Sequence, residues 1–366
     1  MWINHLSLKN FRSYDELELS LEPGVTIFLG RNGEGKTNIV ESLLYLAFLS
    51  SHRTANDQPL VKLGNQAAYV RAKAQNTERE ILVELEINTE KANRARINQN
   101  PVRSQKELFG IVQIVYFSPE DLDLVRGDPS ARRRFFDEII TLRSPRLAGV
   151  ISDYERALKQ RNSLLKSRGS YSSLASWDQQ VASFGGEVIA ARLKTLREFE
   201  PIFSEVYREI HEVKKASITY KSSIDDPSED ATVNAEKILE KMAELKNQEI
   251  DRGLTLVGPH RDDLLLMLGD HFVKGYASHG ESWSIALSLK LATYQLLQND
   301  GIQPILVLDD VFSELDEERR EHLIALANSA EQTFITVAVQ TDLPPQLSGT
   351  TYTVKSGSVK LVKSEA

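Results

Sequence analysis

Residues 30 to 37 read Gly-Arg-Asn-Gly-Glu-Gly-Lys-Thr, directly after the apolar run Val25 to Leu29 and just before the apolar segment Ile39 to Leu49. Two glycines five residues apart, followed by Lys and a hydroxyl residue between strand and helix, confine the chain to a phosphate-binding loop. The glycines let successive backbone N–H groups turn inward, and the helix N-terminus adds partial positive charge, so the loop becomes a cradle for phosphate oxygens. The candidate nucleotide-binding residues are therefore Gly30, Arg31, Asn32, Gly33, Glu34, Gly35, Lys36 and Thr37. Lys36 is placed to reach the β and γ phosphates. Thr37 is placed to put its hydroxyl on Mg2+, a hard cation that prefers oxygen ligands.

Cleavage of a nucleoside triphosphate also needs a carboxylate to hold the metal and a group to position the attacking water. The run Ile305-Leu-Val-Leu-Asp309-Asp310 offers both at the end of a buried strand. Asp309 is the candidate metal residue and Asp310 the candidate general base or water-orienting residue. The acidic pair Asp121 and Asp123 lacks further clustered acids or histidines at metal spacing, so nuclease chemistry is not expected.

Composition narrows the partners. The chain has 366 residues, 41% of them hydrophobic, enough for two domains with ordinary buried cores. A formal net charge of −8 argues against coating nucleic acid through overall charge, so a DNA site must be a local patch. From Arg126 to Arg168 there are eleven Lys or Arg against five Asp or Glu, a local reversal of sign, and Arg132, Arg133 and Arg134 are the candidate DNA-contact residues. A solvated helical face is the plainer reading of such a run. The chain contains no cysteine, which excludes disulfides, thiolate catalysis and cysteine-bound zinc. The apolar stretch Leu43 to Leu49 is too short to span a bilayer, and the first residues lack the features of a secretory signal. A cytoplasmic protein without membrane partners is expected.

The first 120 residues read as strands and turns around one helix, with strand patterns at Leu17 to Leu21, Val25 to Leu29, Ile81 to Ile87 and Ile111 to Phe117. From about Asp128 to Asp251 charged segments at helical spacing take over, broken at Gly169, at Gly185-Gly186 and at the loop Ser222 to Asp230. Strand patterns return at Leu254 to Val257, Leu264 to Leu268, Ile305 to Leu308 and Phe334 to Val339. The expectation is an α/β fold of mixed sheets and helices, discontinuous in sequence: an N-terminal part over 1–125, an inserted helical arm over 126–252 and a C-terminal part over 253–366.

Between the two motifs, Ala277-Ser278-His279-Gly280-Glu281 precedes a predicted buried helix from about Ser282 to Gln298, with Ile285, Leu289, Ala292 and Leu296 on one face. Ser278 fits an N-cap, or a hydroxyl beside free amides that can meet phosphate.

The order of these motifs, closed by Ser313-Glu-Leu-Asp316, resembles the ABC-type ATPase heads of the structural-maintenance-of-chromosomes kind. Leu8-Lys-Asn-Phe-Arg12-Ser-Tyr14, Ser51-His-Arg-Thr54, Phe117-Ser-Pro-Glu-Asp-Leu122, Arg132-Arg-Arg-Phe135 and Gly258-Pro-His-Arg-Asp-Asp-Leu264 bring the resemblance close to the RecF family over nearly the whole chain.

The resemblance implies an ATPase head with P-loop and mixed sheets, carrying an inserted helical arm. It implies that Ser278, Gly280 and Glu281 form a signature loop contacting the γ-phosphate held by a second subunit, with Ser278 in catalysis alongside Lys36 and Asp310. Asp316 would lie at the dimer interface and Arg12 would contact phosphate or nucleotide. ATP and Mg2+ are the implied cofactors. The implied function is ATP-dependent DNA binding in recombinational repair, replication restart and the response to DNA damage. Dimerisation with ATP would gate binding to single-strand/double-strand junctions or gaps, weak DNA-stimulated hydrolysis would reset it, and recombination mediator proteins would be partners. Two departures stand out: the signature usually reads Ser-x-Gly-Gln where this chain has Glu281, and the switch residue, often His, has only Gln340 and Thr336 as approximate counterparts. A non-hydrolysing nucleotide-dependent scaffold is the alternative. A transport ATPase subunit fits less well, because 242 residues separate Lys36 from Ser278.

Overall fold

Alternating apolar residues at the start of the chain build a hairpin. β1 (Trp2–Phe11) and β2 (Tyr14–Ser20) pair antiparallel, with Leu6 opposite Leu19 and Leu8 opposite Leu17, all four buried. The phosphate-loop strand β3 (Gly24–Leu29) leads through the loop into α1 (Lys36–Phe48), followed by β4 (Ala67–Gln75), β5 (Glu80–Asn88), β6 (Arg94–Ile97), β7 (Asn100–Pro101) and β8 (Ile114–Phe117). Helices then dominate: α2 (Leu122–Arg126), α3 (Pro129–Arg143), α4 (Pro145–Ser167) and α5 (Tyr171–Ile210). After β9 (Ala216–Lys221) come α6 (Ala231–Arg252), β10 (Asp263–Leu268), β11 (His271–Phe272) and α7 (His279–Asn299). The chain ends with β12 (Ile305–Asp309), α8 (Glu317–Ser329), β13 (Gln332–Val337), β14 (Thr350–Lys355) and β15 (Ser358–Leu361). This computed structural model describes residues 1–362 except 55, 76–78, 168–170 and 212–213, so Arg168 and Gly169 lie outside the described residues.

Contacts divide the chain into two units, Met1–Asp121 with Leu297–Ala366, and Leu122–Leu296. The first unit holds two six-stranded sheets. One is antiparallel, in the order β2-β1-β4-β5-β6-β7. The other runs β15-β14-β3-β13-β12-β8 and is parallel except for the edge strand β15. Leu8 and Val70 from the first sheet, Phe28 and Val307 from the second, and Ile39 and Leu43 from α1 share one core. Nine consecutive buried residues, Ile39 to Ala47, bury α1 on nearly every face, and all but Glu41 and Ser42 are apolar or aromatic, as a helix enclosed in such a core requires.

The second unit packs α4, α5 and α6 around Tyr154, Val181, Ile189, Ile238 and Met242, with a three-stranded sheet β11-β10-β9. Gly185 and Gly186 do not break the chain as expected, since α5 runs straight through them. Their lack of a side chain serves packing: a Cβ on Gly186 would lie 2.3 Å from the Ala231 carbonyl oxygen at the start of α6. Strand β9 falls inside the expected all-helical stretch and pairs with β10. Leu254 to Val257 forms no strand, because side chains take its backbone donors: Asn162 accepts from Thr255 N–H and Glu249 from Leu256 N–H, at 2.7 and 2.8 Å. Among the described residues no helix is long and apolar enough to cross a membrane.

Candidate functional site

The phosphate loop leaves β3 at Gly30, where β14 passes so closely that a Cβ would sit 2.3 Å from the Val354 carbonyl oxygen. Gly35 caps α1 at φ 117°, a left-handed conformation that an L side chain rarely adopts. No side chain caps that helix, so its first amides are left for an anion. The Lys36 ammonium is buried inside the loop, donating to Gly30 O at 2.7 Å and to the Asn32 side-chain oxygen at 3.3 Å. Thr37, half-buried, is the second residue of α1, while Arg31, Asn32 and Gly33 are exposed at the loop tip. Glu34 turns away from this interior and accepts hydrogen bonds from the backbone and hydroxyl of Ser356, in the turn between β14 and β15.

The expected carboxylates arrive beside the loop from β12. Asp310 Oδ2 lies 3.7 Å from Lys36 Nζ. Asp309 is buried, and its pKa is pushed up to about 6 by that burial, with the Asp310 and Glu120 charges adding to the effect. A hydrogen bond from Thr336 and the charge of Lys36 oppose the shift. Of the two approximate switch residues, Thr336 is thus fully buried on Asp309, whereas Gln340 is exposed in a 3-10 turn. A cavity of about 240 Å3 opens here, lined by Asn32, Asp310, Ser313, Glu314 and Asp342 among others.

These groups fit a Mg2+–nucleotide. Mg2+ binds through one or two carboxylates together with phosphates and water rather than in an all-protein cage. Among the described residues no group of three or more His, Cys, Asp or Glu forms such a cage, while Asp309 and the Thr37 hydroxyl supply oxygen donors of the right kind.

Arg12 pairs with an acid of α1. Its guanidinium forms a two-pronged pair with Glu41 at 2.6 and 2.7 Å and donates to Pro59 O at 2.9 Å. Glu41, fully buried on α1, also accepts from Ser51 at 2.5 Å and lies 3.6 Å from Arg53. Burial alone would raise this carboxyl, but the hydrogen bonds from Arg12 and Ser51 and the two arginine charges hold it below the usual range. Sequence reasoning missed Glu41. The signal was present, since a carboxylate inside an apolar helix requires a cationic partner.

In the second unit Ser278 and Glu281 form a reciprocal cap on α7. The Ser278 hydroxyl accepts from Glu281 N–H at 3.2 Å, and the Glu281 carboxylate accepts from Ser278 N–H at 2.8 Å. Lys214 lies 2.5 Å from the same carboxylate; its hydrogen bond, with those from Ser278, lowers Glu281 to about 2. The departure from Gln at this position is therefore a working cap. Gly280 lies in the first turn of α7, and Asp316 caps α8 through Arg319 N–H at 3.1 Å.

The arginine triplet is split by its surroundings. Arg132 is buried, paired to Asp263 at 2.8 and 3.0 Å and bonded to the Leu124 and Gly127 carbonyls. Arg133 is half-buried and donates to Asp262 O at 2.8 Å, whereas Arg134 is exposed. A common DNA-facing role for all three is thus corrected, because Arg132 faces inward onto Asp263 and two backbone carbonyls. Arg143, Arg146, Arg156 and Arg161 also pair with carboxylates. The Gly258–Asp263 segment is a polar hub: His260 bonds to Tyr154 OH at 2.5 Å and to Thr255 O at 3.1 Å, and Asp262 accepts from Tyr220 OH at 2.5 Å and Ser223 N–H at 2.7 Å. Asp121 is buried in a turn, where it accepts from Ser118 N–H at 2.9 Å, while Asp123 is exposed.

A solved structure described as the recombination mediator protein RecF with ATP, in the RecFOR pathway, superposes with a TM-score of 0.91 at 27% identity, covering 99% of this chain and 98% of that one. An Smc head domain from Pyrococcus furiosus, 15% identical, shares the fold with a TM-score of 0.57 over 99% and 96% of the two chains. The fold is therefore an ABC-type ATPase head of mixed α/β sheets. The DNA replication and repair protein RecF of Streptomyces avermitilis is 50% identical over 375 residues, covering 99% of this chain and all of the relative. Its counterpart in Rhodococcus erythropolis is 46% identical over 384 residues, covering 97% and 94%. With these relatives, and with the RecF/RecN/SMC N-terminal domain matched over residues 2–356, the chain belongs to the RecF family.

Proposed function

We propose that this chain is an ATP-gated DNA-binding protein of recombinational repair and replication restart, acting in the cytoplasm. The observation that carries the reading is the meeting of Lys36, Asp309 and Asp310 at one end of the parallel sheet, beside uncapped helix amides. The relatives' description as DNA replication and repair proteins, and the ATP-bound RecF structures, support it.

In this reading residues 30–37 enclose the phosphates and Lys36 leaves the loop carbonyls for the β and γ oxygens. Thr37 and Asp309 would hold Mg2+, which when bound would supply positive charge against the phosphate oxygens. Asp310 orients the attacking water and accepts its proton. The head comprises 1–125 and 253–366 and the arm 126–252. Two heads close on two nucleotides, each lending Ser278, Gly280 and Glu281 to the other, and weak, DNA-stimulated hydrolysis reopens them.

If the ATP-bound dimer holds gapped or junction DNA better than the monomer does, each ligand strengthens the other by its differential affinity. Exposed cations such as Arg134, Lys159 and Lys166 would meet DNA phosphates without reading sequence, and mediator proteins would then engage the complex. Sedimentation with and without ATP and Mg2+ tests the reading, with Lys36→Met and Ser278→Arg as controls and gapped DNA added last. An ATP-dependent dimer that binds DNA, absent in both variants, is the expected result. A monomer that binds DNA equally well without nucleotide would overturn the gate.

A further inference from the structure

Strand β13 lies between β3, which delivers the phosphate loop, and β12, which ends at Asp309. Thr336 stands opposite Phe28 on one neighbour and Asp309 on the other, and no part of it reaches solvent. Its hydroxyl donates to Asp309 Oδ1 at 2.5 Å and accepts from Asp310 N–H at 3.0 Å. The same N–H also points at the Thr336 carbonyl, at 3.3 Å. A hydroxyl has one proton to donate and two lone pairs, so one side chain engages both members of the acidic pair.

Each bond has a separate consequence. The first fixes one oxygen of Asp309 and leaves the other for a metal, in an interior where an unanchored carboxylate would have no preferred direction. The second holds Asp310 at φ 51°, a left-handed conformation unfavourable for a non-glycine residue, which turns the chain where β12 ends. Asp310 reaches Lys36 from that conformation.

We propose that Thr336 is the positioning residue of this site, resting on the Mg2+–ATP reading above: its hydroxyl orients Asp309 for the metal and sets the backbone that presents Asp310. Metal capture and water orientation then depend on one buried side chain of the intervening strand. Residues that orient a metal ligand through a hydrogen bond change metal affinity by about 10- to 100-fold when removed.

The test compares Thr336→Val, which loses the hydroxyl at nearly constant volume, with Thr336→Ser, which keeps it. Binding of a fluorescent ATP analogue is titrated in EDTA and across a Mg2+ series. Thr336→Val is expected to bind in EDTA within about twofold of wild type but to need about 10-fold or more Mg2+ for half-maximal enhancement, with Thr336→Ser restoring the response. Combining Thr336→Val with Asp309→Asn should add no further loss of Mg2+ response. If Thr336→Val does not fold, Thr336→Ala and its combination with Asp309→Asn carry the same comparison. A Mg2+ response in Thr336→Val equal to wild type, or a Thr336→Ser as impaired as Thr336→Val, overturns the inference alone. Absence of Mg2+-dependent binding in wild type overturns the ATP reading and the inference with it.

Discussion

Lys36 Nζ sits 3.7 Å from Asp310 Oδ2, so the cation of the phosphate loop and the second carboxylate of β12 balance each other. Changing the two should therefore have opposite signatures. Lys36→Met is expected to lower ATP affinity by about 10- to 100-fold, the worth of charge-assisted bonds to phosphate. Asp310→Asn should keep ATP binding and slow hydrolysis by about 100-fold or more, trapping the nucleotide. Equilibrium binding and single-turnover rates separate the two. Equal loss of binding in both variants would contradict the assigned roles.

Arg132 and Arg134 are two residues apart and should behave differently. Arg132→Ala leaves Asp263 partly buried without its partner and is expected to cost about 3–5 kcal/mol of stability. Arg134→Glu should be neutral for folding and, if this face meets DNA, should weaken binding and lower its salt dependence. Denaturant melts and DNA binding at two salt concentrations give the comparison.

His260 carries a pH dependence that can be read in sign. Burial, with the Arg261, Arg133 and Arg161 charges added, lowers it to about 4 from an ordinary value of 6.5, although its bond to Thr255 opposes the shift. The unfolded chain therefore binds its proton first. The stabilisation is complete above about pH 6.5 and is lost as pH falls through about 4, a difference of about 3 kcal/mol at most. His260→Gln should flatten that part of the stability–pH curve, which urea titrations between pH 4 and 7 would record. An unchanged slope would mean that other groups set it.

Gly186→Ala tests the crossing of α5 and α6. An alanine normally favours a helix, yet here its Cβ would lie 2.3 Å from a backbone carbonyl oxygen of Ala231. Destabilisation of about 1–3 kcal/mol is expected by thermal melting, against the gain that helix propensity alone predicts.

What could be read from sequence was local. Glycines, Lys36 and Thr37 at fixed offsets between a strand and a helix specify their own turn, and the apolar run ending in Asp309 specifies a buried strand. Partners distant in sequence were illegible. Arg132 meets Asp263, 131 positions away, so its charge could not reveal which way it faced. Gly185 and Gly186 satisfy a helix-breaking rule that packing against α6 overrides. In β9 the alternation covers only six residues within a charged stretch, too few to outweigh their surroundings.

Strand β3 has β13 on one side and β14 on the other, both from the last forty residues of the described chain. A ribosome that has made the phosphate loop has thus made none of the strands that flank it, and nearly three hundred further residues must emerge first. The loop can acquire its binding geometry only after β13 and β14 have been made and enter the sheet. A product cut short within the second unit would carry every residue of the loop and still have no scaffold on which to hold a nucleotide.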